Sequence, residues 1–509
     1  MILLLCATLL VSTLHSANAA GVQVWTEPAA LKIFEDAKAS AHATRTVRLS
    51  AARREFAAFQ IVLCADADLK GVTAKALAPV GPGRISARNI TIWREHYVNT
   101  NEGRKPDPLS LLKSVDLKAG VALPLYVEIE VPEGAKAGTY EGTIGLSAGG
   151  AEAGQVRYVL TVRDFALPVT PSLVTAFGIR EDRIARQEKI SGSGPTFEKY
   201  RKAYYEILLA HRISAYNIPA DLTTDEGAKY LSDPRMTSYV IPYSDDDAKL
   251  KALCDHLRTG GWLDKGYFYI VDEPFSKESF EQIDRHVERL KRLVPDYRLV
   301  APHFRNPDFD DKLTVYDMLM GKVNIWCTAT NFHNEQVLDE RAKAGEEVWD
   351  YVCCGPGKPY ANFFITMPAM SHRMLFWQEW KYRSSGLLYW STTYWEPAPA
   401  GTDDPWEDMA TVKWITKDLF GDGSLLYPGH KVGHYGPLPS LRLKIIRQGL
   451  QDYDYIAMAA KVSREEADRI VNSQVTSWTE FQGAPEPIET EKEALAMVIA
   501  TARGQHGKH

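Results

Sequence analysis

Beyond Pro171 the chain alternates short apolar runs with amphipathic stretches, and the number of those runs most constrains its fold. We identify eight candidate strands, at residues 174–179, 213–218, 237–243, 266–271, 298–302, 323–327, 347–352 and 386–390. Helical periodicity marks six intervals, at residues 197–210, 245–259, 276–294, 309–321, 336–345 and 370–383. This alternation, over about 250 residues, predicts a (β/α)8 barrel of the TIM type. Helix signals are weak after the second strand, which leaves the exact strand register open.

The N-terminal part has a different periodicity, with apolar and polar residues alternating. Runs at residues 90–93, 125–131 and 156–162 show it, and turn residues separate them. The pattern predicts an antiparallel β-sandwich of about eight short strands. Pro168 and Pro171 interrupt it and mark a domain boundary. The predicted organisation is a sandwich at 21–165, a catalytic barrel at 172–420, a C-terminal helical extension packed on the barrel at 421–503 and a disordered tail at 504–509.

Residues 1–20 have the features of a signal peptide. Their apolar core at residues 2–14 is too short to span a bilayer as a stable helix, and Ala17-Asn18-Ala19 resembles a cleavage site. The usual charged segment before the core is missing, so an uncleaved N-terminal anchor is the alternative. We expect export to the periplasm, the cell surface or the medium, with no membrane span after cleavage.

Charge and cysteine content narrow the possible partners. The 59 basic and 65 acidic residues give a net charge of −6, which offers no electrostatic reason to expect nucleic acid. Five cysteines remain after cleavage, among them the vicinal pair Cys353 and Cys354, and an odd number is not the pattern of a disulfide framework. No spacing of Cys and His suggests zinc, and we expect neither a metal nor another cofactor.

Two adjacent acids, Asp272 and Glu273, close the fourth predicted strand and precede Pro274. Barrel enzymes keep their chemistry at this end of the strands. An acid pair in which one member stays neutral and the other ionised suits the cleavage of a glycosidic bond. The alternative is structural, with one acid capping the following helix and the other pairing with an arginine.

Other polar and aromatic residues lie on or after the predicted strands and are candidates for substrate contact, although packing or surface roles compete for each. They are Arg180, Asn217, His303, Arg305, Asn331, Tyr351, Trp390, Tyr394 and Trp395. Packing competes most strongly for Tyr351 and Trp390, because both lie inside apolar runs. Further along, Ser440 is a predicted N-cap, and we expect Arg442 and Arg447 to clamp its helix to the barrel rather than reach a site acid.

Several stretches together resemble glycoside hydrolase family 123. They are residues 269–274 (YIVDEP), 386–390 (GLLYW), 421–429 (GDGSLLYPG), 440–444 (SLRLK) and 447–455 (RQGLQDYDY), with 51–55 (AARRE), 59–62 (FQIV) and 136–142 (KAGTYEG) in the sandwich. The resemblance implies a retaining β-N-acetylgalactosaminidase that acts on a glycan or glycoconjugate, with the acetamido oxygen of the substrate as nucleophile. It implies that Asp272 orients the acetamido N–H, while Glu273 protonates the leaving oxygen and later activates water.

Two questions remain open at the level of sequence. Neighbouring residues on a strand point to opposite faces, so the acid pair converges only if the chain bends near Pro274. The chemistry also has alternatives. One is a double-displacement glycosidase on a sugar without the 2-acetamido group, with Glu181 or Glu396 as nucleophile. The other is a non-catalytic carbohydrate-binding barrel.

Overall fold

The computed structural model describes residues 21–395, 404–409 and 419–506. Its N-terminal part contains two five-stranded sheets, ordered β1-β3-β8-β5-β6 and β2-β10-β9-β4-β7, and all neighbours are antiparallel except β2 and β10. The strands are β1 (Val22–Pro28), β2 (Thr46–Arg53), β3 (Phe56–Ala65), β4 (Leu69–Ala76), β5 (Ile90–Thr100), β6 (Gly103–Leu111), β7 (Val115–Leu117), β8 (Leu123–Glu130), β9 (Gly138–Ala148) and β10 (Ala151–Ala166). Buried side chains of both sheets, such as Ile61 and Leu160, share one core, as predicted for a sandwich.

Seven parallel strands form a barrel-like sheet in the order β11-β17-β16-β15-β14-β13-β12. They are β11 (Val174–Phe177), β12 (Tyr239–Val240), β13 (Gly266–Tyr269), β14 (Leu299–His303), β15 (Ile325–Ala329), β16 (Glu347–Val352) and β17 (Gly386–Tyr389). Helices α1 (Glu181–Gln187), α2 (Pro195–Ala210), α3 (Asp225–Leu231), α4 (Asp247–Thr259), α5 (Lys277–Leu293), α6 (Val315–Leu319), α7 (Glu335–Lys343) and α8 (Ala369–Lys381) lie between them. Bulky residues such as Tyr267, Trp349 and Tyr351 fill the interior of the sheet.

The eight-stranded prediction is not confirmed, because the second predicted strand, residues 213–218, forms no strand. Its backbone still lies between β11 and β12. The Tyr216 N–H donates to Phe177 O at 2.9 Å, and the Val240 N–H donates to Tyr216 O at 2.8 Å. Other ladder bonds are replaced by hydroxyl groups, since the Ser214 N–H donates to Thr175 Oγ1 at 2.8 Å. Side-chain bonds of this kind compete with regular strand pairing.

Local hydrogen bonding also shortens two other predicted elements. The run at 237–243 keeps only β12, because the Thr237 N–H donates to the Ser214 hydroxyl at 2.8 Å instead of joining a ladder. The predicted helix at 309–321 keeps only α6. Thr314 starts this helix in a capping box, in which its hydroxyl accepts from the Asp317 N–H and Asp317 accepts from the Thr314 N–H.

The C-terminal part consists of a short ribbon, β18 (Leu426–Pro428) and β19 (Pro437–Pro439), and helices α9 (Leu441–Ala460), α10 (Arg464–Gln474) and α11 (Pro485–His506). The predicted cap is confirmed, because the buried Ser440 hydroxyl accepts from the Leu443 N–H at 3.0 Å. Helix α11 continues through His506, past the predicted start of the tail, and residues 507–509 lie outside the described part.

Helix α9 is clamped to the sandwich by buried ion pairs. Arg442 donates from Nε and Nη2 to Asp107 on β6, both at 2.8 Å. Lys444 donates to Glu128 on β8 at 2.7 Å, and Arg447 contacts the other oxygen of the same carboxylate. The predicted clamping role is confirmed for Arg442, which also donates to Phe363 O in the barrel part at 2.6 Å. The carboxylates that pair with Arg442 and Arg447 were not predicted. The carboxylates come from the sandwich because they project from strands that face α9.

None of the described helices is long and apolar enough to cross a membrane.

Candidate active site

The chain bends sharply at the acid pair. Strand β13 ends at Tyr269, three residues before Asp272, and Glu273 has φ of +44°. Such a backbone conformation costs a residue with a Cβ roughly 1–3 kcal/mol. The backbone therefore bends within the pair itself, at Glu273. Pro274, which the sequence suggested as its cause, follows the bend.

Asp272 is exposed and is oriented by a tyrosine from the preceding strand. The Tyr269 hydroxyl donates to Asp272 Oδ1 at 2.7 Å. Tyr269 is itself fixed by an edge-on contact with Tyr216, with ring centroids 5.9 Å apart. This arrangement holds one carboxylate oxygen on the protein and leaves Oδ2 available for a ligand.

Glu273 is half-buried, and Tyr351 on β16 donates a hydrogen bond to its Oε1 at 2.7 Å. The pKa of Glu273 is raised above its ordinary value, chiefly by burial. The negative charge of Asp272 raises this pKa further, and the Tyr351 hydrogen bond opposes both effects. The two acids thus occupy different environments, which favours a neutral Glu273 beside an exposed Asp272.

Replacing Tyr351 by Phe tests this arrangement. The hydroxyl stabilises ionised Glu273, so its removal raises the pKa of Glu273. An acid catalyst loses activity as pH rises through its pKa, and the alkaline limb of the kcat/KM profile should therefore move to higher pH in Tyr351→Phe. We expect kcat to fall roughly tenfold to a hundredfold, because the carboxyl also loses an orienting bond. An unshifted alkaline limb would show that Tyr351 does not affect the pKa of the catalytic acid.

A pocket of about 320 Å³ lies beside Asp272. It is lined by Tyr216, Asn217, Val240, Tyr269, Ile270 and Asp272. The exposed side chain of Asn217 belongs to this lining. The volume is at the lower end of the range for small-ligand sites. The structure therefore brings together Asp272 and Asn217, and it adds Tyr216 and Tyr269.

Trp390 and Tyr394 form an aromatic pair after β17, with ring centroids 4.7 Å apart. The Trp390 indole donates to Asp422 Oδ1 at 3.1 Å, and Tyr389 donates to the same oxygen at 3.2 Å. Burial raises the pKa of Asp422 to about 6, against the effect of these hydrogen bonds. The sequence analysis named Asp422 only as part of the stretch 421–429, and its contact with Trp390 was missed.

Substituting Gly423 by Ala tests the role of Trp390. A Cβ at Gly423 would lie 2.3 Å from the Trp390 ring, whereas a Cβ at Gly433 meets no atom within 4 Å. Both glycines have nearly the same φ, +67° and +65°, so Gly433→Ala is a matched control for the strain of about 1 kcal/mol. If the Trp390 ring stacks on the sugar, KM should rise roughly two- to tenfold in Gly423→Ala alone. Equal KM values for Gly423→Ala and Gly433→Ala would exclude Trp390 as a substrate contact.

The remaining predicted contacts are placed as follows. Arg180 lies 5.6 Å from the Tyr394 ring centroid, Arg305 lies 4.5 Å from that of the exposed Phe275, and Asn331 is exposed after β15. By contrast, His303 and Trp395 are buried. His303 contacts the ring of Tyr316, and the Trp395 indole donates to Leu426 O at 3.0 Å. The structure does not bring these two side chains to the acid pair, and their role in binding stays a prediction.

The two alternative nucleophiles differ in how well they are defined. Glu181, at the start of α1, forms an ion pair with Arg201 at 2.9 Å. Glu396 lies outside the described residues. Within the described ranges, no cluster of three or more His, Cys, Asp or Glu side chains could hold a metal ion.

An exposed acid beside a half-buried acid, after one strand of a barrel-like parallel sheet, is an arrangement suited to a glycoside hydrolase. The model of the glycoside hydrolase 123 catalytic domain matches residues 195–459, just over half of the chain. The chain belongs to glycoside hydrolase family 123, as its sequence motifs predicted. A search of the curated proteins found no match.

Solved structures support the fold. A family 123 glycoside hydrolase from Clostridium perfringens, described in a study of glycolipid glycan hydrolysis, is 14% identical, with a TM-score of 0.68 over 95% of this chain and 98% of that chain. A family 39 glycoside hydrolase from Bacteroides cellulosilyticus WH2 is 10% identical, with a TM-score of 0.32 over 80% and 82% of the chains. Bacteroides uniformis β-glucuronidase 2 is 12% identical, with a TM-score of 0.28 over 86% and 50%. Only the first of these similarities is high enough to carry an argument.

Proposed function

We propose that the protein is a retaining β-N-acetylgalactosaminidase or hexosaminidase in which the substrate acetamide acts as nucleophile. The observation that carries the proposal is that the two adjacent acids, Asp272 and Glu273, lie in different environments. Glu273 is half-buried, with a raised pKa, and Asp272 is exposed and hydrogen-bonded to Tyr269. Family membership supports cleavage of a glycosidic bond, and the glycolipid glycans named for the Clostridium perfringens enzyme support a glycoconjugate substrate.

In this proposal Glu273 is the acid and then the base. Its neutral carboxyl donates a proton to the glycosidic oxygen as the bond to the anomeric carbon breaks. The resulting carboxylate takes a proton from the water that attacks the anomeric carbon in the second step, which restores the neutral form. Tyr351 holds one oxygen of Glu273 throughout and leaves the other for the substrate.

Asp272 supports the nucleophile without bonding to carbon. With Oδ1 held by Tyr269, Oδ2 accepts a hydrogen bond from the acetamido N–H. This contact turns the acetamido oxygen towards the anomeric carbon, and the negative charge stabilises the positive charge that develops on the oxazolinium ring. The pocket beside Asp272 then holds the acetamido group.

The competing double displacement requires another carboxylate as nucleophile. Glu181 is the described candidate, and its ion pair with Arg201 on α2 already uses one of its oxygens. Within the described ranges, this pairing favours substrate assistance over Glu181 as nucleophile.

The test compares aryl β-glycosides that differ only at the 2-position. We expect cleavage of the 2-acetamido-galactoside or 2-acetamido-glucoside and, by comparison, roughly a thousandfold slower cleavage of the matching sugars with a 2-hydroxyl. A thiazoline that mimics the oxazolinium intermediate should bind far more tightly than the parent sugar. Equal rates for the two sugars would exclude the acetamide as nucleophile and leave the double-displacement mechanism.

We also propose that the enzyme is exported and that residues 1–20 are removed, on the basis of the apolar run and the Ala17-Asn18-Ala19 pattern. Expression of the full chain in a bacterial host, followed by N-terminal sequencing of the exported protein, tests this. Retention of Met1 on a membrane-associated product would favour an uncleaved anchor.

A further inference from the structure

Two consecutive thiols lie beside the candidate active site. Cys353 and Cys354 directly follow β16, and their sulfur atoms are 3.7 Å apart. Both residues are half-buried and carry free thiols. Because Tyr351 is only two residues away, the pair adjoins the side chain that holds Glu273.

The two thiols contact different halves of the site. Cys353 packs against the interior of the barrel-like sheet, in the cluster that contains Tyr351. Cys354 packs against Phe364, Met367 and Leu419 in the same cluster as Trp390 and Tyr394. A movement of either sulfur would therefore disturb the support of the acid or that of the aromatic pair.

The backbone around the pair is held in place. Buried Asn362 donates from Nδ2 to Cys353 O and to Pro356 O, both at 3.0 Å. The Cys353 N–H donates to Gly355 O at 2.9 Å. These hydrogen bonds therefore fix the loop that carries the two thiols.

The two neighbouring thiols differ in acidity. The hydrogen bond from Cys353 lowers the pKa of Cys354. The same contact, and then burial, raise the pKa of Cys353. The other described cysteines, Cys64, Cys254 and Cys327, are buried. Burial raises the pKa of Cys254 to about 11, and it also raises that of Cys327. Thiolate character and access therefore favour the vicinal pair.

We propose that Cys353 and Cys354 form a reversible thiol–disulfide site that controls the glycosidase site next to it. The Cys354 thiolate attacks a disulfide of the low-molecular-weight or protein type and releases one thiolate. The Cys353 thiolate then attacks Cys354 Sγ in the mixed disulfide and releases the second. The protein loses two electrons and two protons, and the oxidant becomes two thiols.

Formation of a disulfide between Cys353 and Cys354 is reversible and shifts side chains of the candidate active site. Adjacent Cα atoms are about 3.8 Å apart, below the usual separation in disulfides, and strained disulfides are easily reduced. The sulfurs must also approach from 3.7 Å to a bond length of about 2.05 Å. We expect this shift to misplace Tyr351 or the rings above Cys354, and to lower turnover. This consequence for activity rests on the proposed function.

The first experiment measures the mass of the protein and does not depend on its activity. The reduced full chain is incubated with glutathione disulfide, the remaining thiols are alkylated, and the intact mass and a peptide map are recorded. We expect the loss of two hydrogen atoms within one peptide that contains Cys353 and Cys354. Phenylarsine oxide should add once to the reduced protein with release of water, because it bridges two thiols, and it should not bridge in Cys353→Ser or Cys354→Ser.

The second experiment reads turnover of the aryl glycoside that the enzyme cleaves. We expect oxidation to lower kcat/KM roughly tenfold or more and dithiothreitol to restore it. Cys354→Ser should be insensitive to the oxidant, and Cys64→Ser, a matched control at a buried thiol, should stay sensitive. A persistent glutathione adduct, an unchanged mass, or a closed pair with unchanged turnover would each overturn the proposal. If no glycoside is cleaved, the proposed function fails, and the mass change alone still decides whether the site closes.

Discussion

Glu273→Gln should lose roughly a thousandfold or more in turnover on natural glycans, because glutamine keeps the shape of the side chain but can neither donate nor accept the catalytic proton. The same residue serves both steps, so neither step is spared. Steady-state kinetics on a glycan and on an activated aryl glycoside measure the effect. The aryl substrate should suffer less in its first step, since its leaving group needs little protonation.

Glu181→Gln provides the matched control for this prediction. It makes the same chemical change at an acid that the structure pairs with Arg201, and its effect on turnover should stay below about tenfold. A Glu273→Gln enzyme that cleaves both substrates at wild-type rates would exclude Glu273 as the acid. A large loss in Glu181→Gln would instead point to Glu181 as a nucleophile.

The second large effect is expected at Asp272. Asp272→Asn keeps the size of the side chain and one acceptor oxygen but removes the charge, so it should raise the barrier by roughly 3 kcal/mol or more. KM should change little, because the lost interaction strengthens mainly in the transition state. Comparison of kcat and KM for the wild type and the variant measures this directly.

A trapping experiment shows whether Asp272 or any other carboxylate bonds to the sugar. With substrate assistance, incubation with a 2-deoxy-2-fluoro glycoside leaves the intact mass of the protein unchanged, because no carboxylate attacks the anomeric carbon. An added glycosyl mass would refute substrate assistance, and peptide mapping would then identify the nucleophile.

Much of the architecture was predictable because it depends on local pattern. Seven of the eight predicted barrel strands lie where apolar runs predicted them. The exception is the second predicted strand, residues 213–218. There the hydroxyl groups of Thr175 and Ser214 accept hydrogen bonds from backbone N–H groups that would otherwise pair between strands, and hydrophobicity does not reveal such exchanges. The sandwich contains ten strands where about eight were expected, since short strands such as β7 carry too little pattern to count.

The candidate site was predictable at its acids and less so around them. Asp272 and Glu273 stood out because charge follows an apolar strand. The positive φ of Glu273 left no such signal, because a left-handed glutamate is set by tertiary contacts and not by residue type. Tyr269 and Asp422 were missed as parts of the site for a related reason. Tyr269 lies in a strand and Asp422 in a turn, and these local structures already account for both residue types. Only the fold shows that Tyr269 contacts Asp272 and that Asp422 contacts Trp390.

The buried ion pairs of α9 have a consequence for how this enzyme can be shortened, by experiment or by evolution. A fragment limited to residues 195–459 would keep Arg442, Lys444 and Arg447 but lose Asp107 and Glu128, and would also lack β11. Removing one partner of a buried pair costs about 3–5 kcal/mol, and two carboxylates would vanish together. The sandwich therefore supplies the counter-charges of the catalytic unit. A lineage could discard it only after neutral residues had replaced those three cations.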